Sequence, residues 1–335
     1  MKLHNNPQLF ADTIRASAKI LNMPQEFVEK DYWICQILQR LSRHEKAMYA
    51  VWKGGTSLAR AYGIIKRFSS DVDIAVLTEN MSQNQQKKFV ARISHDSTID
   101  LEEMDMGRET IKNNRFRKTY HSYPSVITDS EVGLSFLGRF VIFEINTYGN
   151  PYPYKRKAIK SFITEVFEKR GLHDIIREYD MGPFELNVLD KRRTMVEKIV
   201  SLLRFSFDNS ESPTSGLASK IRHFYDLHYL LKDEDCSAYL KTDFGKELLD
   251  LIAHDKAEYD RPPEWKDSDI LSSILFTDFD NSWNEIKRVY QTELGRLSYV
   301  EIPNEKEVAE SVKSLMEYVK EIIETYRQNS HQPDN

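Results

Sequence analysis

The run Lys53-Gly54-Gly55-Thr56-Ser57, followed by Asp71-Val72-Asp73, constrains this chain more than any other stretch. Met48 to Val51 reads as a short apolar strand, the glycine pair breaks it, and Ser57 to Tyr62 reads as a helix. The hydroxyls therefore sit where a strand turns into a helix. That place suits an anion, because a helix N-terminus presents unpaired N–H groups and partial positive charge, and glycines let backbone approach a phosphate closely. From Asp71 to Val76 carboxylate and apolar residues begin in strict alternation, so Asp71 and Asp73 leave one face of a strand. Two such carboxylates suit Mg²⁺, which is held by one or two acids together with the phosphates of its substrate. Either feature alone has plain explanations: a tight turn for the glycines, a solvated strand for the acids. In this order, with room between them for a short helix and a return strand, they point to nucleotide chemistry.

Other candidates lie downstream. Between Gly138 and Thr147 an apolar strand carries one carboxylate, Glu144, flanked by Phe143 and Ile145. A buried unpaired charge is expensive; either a metal ion or an arginine partner such as Arg139 would relieve it. Arg115 to Tyr123 interleaves basic and aromatic residues, which suits base stacking and phosphate pairing or an ordinary edge strand. Asp190 looks like the cap of a helix from Lys191 to Phe205, on which Met195, Ile199, Leu202 and Leu203 form the apolar arc and Lys198 lies at its border. A border lysine can reach a ligand or merely cover apolar surface. Ile221, Phe224, Tyr225 and His228 mark a further helix carrying Asp226, whose simple reading is a pair with Arg222. In the early helix Pro24 to Leu41, Lys30 and Asp31 are expected to be solvated or structurally paired and Trp33 to pack in the core.

A length of 335 residues with 40% hydrophobic composition supports two ordinary domains, expected at 1–189 and 190–335. No apolar run is long enough to span a bilayer and no signal segment opens the chain, so a cytoplasmic protein with no membrane partner is expected. The two cysteines have neither metal-site nor disulfide spacing. A net charge of −5 argues against a general basic coat for nucleic acid but leaves a local patch open. Pro151 to Lys157 reads as an exposed loop, and the tail from Gln328 as disordered.

The Gly-Thr turn followed by Asp-x-Asp resembles the polymerase-beta-like nucleotidyltransferase superfamily. Within it, Lys53-Gly-Gly-Thr-Ser-Leu, Arg67-Phe-Ser-x-Asp-x-Asp, Val196-Glu-Lys198 and Tyr225-Asp226-Leu, together with Val28-Glu-Lys-Asp-Tyr-Trp33, resemble the AbiEii/AbiGii (MenT-type) toxins of toxin-antitoxin and phage-defence systems. The resemblance implies an α+β fold, with a mixed sheet and flanking helices followed by a helical domain. It implies two Mg²⁺ ions on Asp71, Asp73 and Glu144, and a nucleotide site drawn from Lys53, Gly54, Gly55, Thr56, Ser57 and Ser69, with the two hydroxyls at 56 and 57 cradling phosphates. It further implies Lys198 on the triphosphate and Asp226 as the acid of the last motif, with His223 standing where the family often has another acid. The implied activity is transfer of NMP from an NTP to a tRNA 3′ end, with a cognate antitoxin as partner. A small-molecule nucleotidyltransferase of the antibiotic-modifying kind, and a non-catalytic nucleotide-binding module, are the alternatives.

Overall fold

A computed structural model describes residues 1–79, 81–127 and 137–330 of the chain. It divides into two units, Met1–Asp190 and Lys191–Asn335.

In the first unit helix α1 (Pro7–Leu21) starts at Asn6, whose side chain accepts from the Leu9 amide, with proline at the first helical position where no donor is needed. Helix α2 (Gln25–Arg43) follows, then strand β1 (Ala50–Lys53), helix α3 (Gly54–Arg60) and strand β2 (Asp71–Val76). Helix α4 (Gln83–Thr98) opens with a Ser82–Gln85 capping box. Strands β3 (Glu102–Met104), β4 (Ile111–Lys112), β5 (Phe116–Ser122), β6 (Phe140–Asn146) and β7 (Tyr154–Ile159) lead to helices α5 (Phe162–Lys169) and α6 (His173–Glu178) and strand β8 (Phe184–Leu189). The strands form one mixed sheet in the order β3-β5-β6-β2-β1-β8-β7, with β4 also on β5. Its centre is apolar: Val51, Trp52, Val72, Ile74, Val76, Val141, Phe143 and Ile145 are all inaccessible to solvent.

In helix α2 Lys30 and Asp31 follow the structurally paired reading and not the solvated one. Glu29, Lys30 and Asp31 are 1%, 1% and 2% exposed, so none is solvated, and each instead has a specific partner. Glu29 accepts from the Ser125 hydroxyl and the Val126 amide, and Lys30 donates to the Leu137 carbonyl. Asp31 pairs with Arg60 at 2.9 Å and accepts from the Phe162 amide. Three charges that look like a surface turn thus tie α2 to α3, to the segment after β5, to the approach to β6 and to α5. Trp33 is in the core, as expected.

Two further differences concern strands. Tyr154 to Lys157, expected within an exposed loop, belong instead to the edge strand β7, which pairs antiparallel with β8. Strand β5, for which an edge position was the plain alternative, is interior, with β6 on one side and β3 and β4 on the other.

The second unit is helical: α7 (Lys191–Phe205), α8 (Ser215–Ser219), α9 (Ile221–Lys232), α10 (Glu234–Tyr239), α11 (Phe244–Glu258), α12 (Ile274–Thr277), α13 (Phe279–Leu297) and α14 (Glu305–Ser330). Residues such as Leu203, Tyr225, Leu227, Phe244 and Val312 form its core. Gln328 belongs to the end of α14, not to a disordered tail, and 331–335 lie outside the described residues. Among the described residues no helix is long and apolar enough to cross a membrane.

Candidate active site

Strand β1 delivers the chain to the glycine turn, and β2 lies antiparallel beside it with Lys53 opposite Asp73. Helix α3 begins at Gly54, one turn earlier than the periodicity suggests, so both glycines belong to its first turn. Gly54 has φ +80°, and a Cβ placed on it would fall 2.2 Å from the Asp73 carboxylate Oδ2. Gly55 is confined from the other side: its Cβ would meet Arg67 Nη2 at 2.7 Å and Ser69 Oγ at 3.1 Å. The glycines therefore let backbone lie directly between an aspartate and an arginine, which no side chain permits.

The hydroxyls expected to cradle phosphate are engaged differently. Thr56 donates to the Asp71 carbonyl at 2.6 Å and Ser57 to the Gly54 carbonyl at 2.9 Å, and both residues are buried. A hydroxyl has one proton to give, so in this arrangement neither offers a donor to a phosphate. Thr56 instead fixes the start of β2 against α3, which holds the aspartates in place relative to the turn.

Strand β6 lies parallel to β2, with Glu144 in register with Asp73. Because in-register neighbours point to the same face, Glu144 projects beside Asp73, and Asp71 projects from that face two residues earlier. Glu144 is half-buried and its partner is Lys118 of β5 at 3.0 Å, not Arg139, which donates to the Ile127 carbonyl. Burial pulls the Lys118 ammonium down, but Glu144, with help from Asp71, raises its pKa above the usual lysine value. Lys30 of α2 lies within the field of Asp71. Its burial lowers its pKa to about 8, against the opposing field of Asp71, and its ammonium lies 5.2 Å from the centre of the Phe140 ring.

Among the described residues no three His, Cys, Asp or Glu side chains gather closely enough to hold an ion by themselves. The donor set is the Asp71 and Asp73 pair, with Glu144 adjacent and paired to a lysine. Two hard oxygen donors fit Mg²⁺, which completes its shell with water and substrate phosphates.

In the second unit Lys198 of α7 and Asp226 of α9 meet. They pair at 2.8 Å, with Asp226 inaccessible and Lys198 5% exposed, and His223 Nδ1 lies 3.4 Å from the ammonium. The border lysine is thus buried, and Asp226 pairs with it instead of Arg222, which binds Glu293. Lys191 on nearly the same helix line is held by Asp233 and Asp235.

Paired acids on a strand laid against the strand that feeds a glycine turn are what a nucleotidyltransferase requires, and comparison with known proteins gives the same class. Residues 36–317 match the family model described as nucleotidyl transferase AbiEii toxin, type IV TA system. The match takes in most of the chain, and the protein belongs to this AbiEii family of nucleotidyltransferase toxins. Among solved structures it is similar to MenT4, a nucleotidyltransferase toxin from Mycobacterium tuberculosis H37Rv, at 14% identity and a TM-score of 0.44, covering 96% of this chain and 98% of that one. A search of curated proteins finds no match.

Proposed function

We propose that the protein transfers NMP from an NTP to the 3′ end of tRNA in the cytoplasm, that a cognate antitoxin opposes it, and that Asp71, Asp73 and Glu144 form its charged centre. The observation that supports this reading best is the register that sets Glu144 and Lys53 on either side of Asp73, with Gly54 packed against the same aspartate. Asp71 and Asp73 would hold Mg²⁺, with Glu144 joining when Lys118 yields it, and the bound metal would neutralise the departing pyrophosphate and activate the acceptor hydroxyl. Gly54 and Gly55 would let the backbone of the turn, packed against Asp73 and Arg67, approach the triphosphate closely. Lys53, at the mouth of the turn, supplies positive charge, and Ser69 lines the turn beside Gly55. The buried lysine and aspartate of the second unit, Lys198 and Asp226, are assigned to the reaction as a pair, on the motifs they match.

For the acceptor, β5 supports an RNA end: Arg115 lies 5.6 Å from the Tyr148 ring centre and Phe116 packs near the same ring, a basic and aromatic surface at one end of the strand. All three carboxylates are retained, which disfavours a non-catalytic nucleotide-binding module. Sequencing tRNA 3′ ends after induction in a bacterium tests the acceptor. Added nucleotides that vanish with Asp73→Asn are expected; unextended tRNA with normal growth would favour a small-molecule nucleotidyltransferase.

A further inference from the structure

Four charged residues lie in one row across the sheet. Lys53 on β1 is opposite Asp73 on β2, Asp73 is in register with Glu144 on β6, and Glu144 is in register with Lys118 on β5. The row therefore reads cation, acid, acid, cation on one face. Lys118 and Glu144 are 29% and 27% exposed in their side chains, so the pair is in contact with solvent and is not sealed in the core. The backbone of β5 is held on both sides, whereas the lysine stem above it is flexible, so Lys118 can change partner without moving the sheet.

We infer that Lys118 is a built-in counter-cation: it holds Glu144 while the site is empty, competes with a divalent cation for that carboxylate, and turns to the nucleotide's phosphates once the carboxylate is taken. This rests on the proposed nucleotidyl transfer at Asp71 and Asp73. Without Lys118, Glu144 would lose the cation that faces it and add to the negative charge beside Asp73, with Lys53 and Lys30 left as the cations on the other acids. With Lys118 the charge of Glu144 is balanced, metal binding is weakened, and a cation becomes available to the triphosphate when the metal arrives.

The test is Mn²⁺ binding by the full-length protein, measured by electron paramagnetic resonance. Lys118→Met is expected to bind Mn²⁺ about 10-fold more tightly than wild type, the scale of one charge-assisted contact. Lys118→Arg should match wild type. Lys112→Met, which removes an equal charge from the same sheet at its Glu103 partner, should also match wild type. A non-hydrolysable NTP with Mg²⁺ should bind Lys118→Met about 10-fold more weakly. Unchanged or weaker Mn²⁺ binding in Lys118→Met, an equal gain in Lys112→Met, or unchanged nucleotide affinity would each overturn the inference. Asp73→Asn reads the underlying proposal separately: if it binds Mn²⁺ as wild type does, the metal site itself is wrongly placed, whatever Lys118 does.

Discussion

At the scale of single residues the site depends on what is missing at Gly54. A methyl group there meets both a left-handed backbone and the Asp73 carboxylate, whereas at Gly63, with φ +67°, it meets only the backbone strain because nothing lies within 4 Å. Gly54→Ala should therefore lower transfer by at least ~100-fold, the effect of a misplaced reacting group, while Gly63→Ala should lose about 1 kcal/mol of stability and keep its activity. Kinetics beside urea unfolding of both variants checks this, and equal activity losses would contradict it. The glycine turn and the alternating acids are legible in the sequence because each depends on local conformation. The burial of Lys198 is not, since a helical wheel gives its angle but not the neighbouring helix that covers it. Lys198→Ala should destabilise the protein by roughly 3–5 kcal/mol by removing the cation that the buried Asp226 carboxylate faces. Lys198→Met combined with Asp226→Leu should recover much of that loss in urea unfolding; no recovery would mean that the pair's neighbours, such as His223, bear the cost.

At the scale of elements, helices with a clear apolar stripe and a cap are readable from sequence, and α7 has the expected bounds. The charges of helix α2 are not, because Glu29, Lys30 and Asp31 are polar residues whose partners lie far along the chain. Strand β5 shows the same limit: its interior position follows from pairing with β3, β4 and β6, which alternation within one strand does not reveal. It also buries His121, whose Nε2 contacts the Thr119 hydroxyl at 2.9 Å. Burial lowers the imidazole pKa from 6.5 to about 4, with Glu103 acting against the shift and Lys112 with it. The folded state thus holds His121 neutral where the unfolded chain would bind a proton. Its contribution is fully present above pH 6.5 and is lost as pH falls through about 4, amounting to about 2–3 kcal/mol across that window. Urea unfolding as a function of pH should show His121→Gln with a shallower loss of stability between pH 6.5 and 4 than wild type. Parallel curves would contradict the assignment.

At the scale of the whole molecule the expected α+β class is the observed one, a mixed sheet with flanking helices followed by a helical region. That class is what the resemblance carried by the glycine turn and the Asp-x-Asp strand implies. Strand order is not legible in the sequence, and neither is the register that brings Glu144, with helix α4 and strands β3, β4 and β5 between them in the chain, beside Asp73 and gives it Lys118 as partner. Those are properties of the folded sheet, set by contacts between distant segments. The central claim is that this register builds the centre for nucleotidyl transfer. The most direct measurement is incubation of the purified protein with each α-labelled NTP, Mg²⁺ and total RNA, comparing wild type with Asp71→Asn and Asp73→Asn. The account predicts labelled RNA and released pyrophosphate with wild type, and loss of both in either variant while its melting temperature stays close to wild type. Labelling by either variant at the wild-type rate would contradict it.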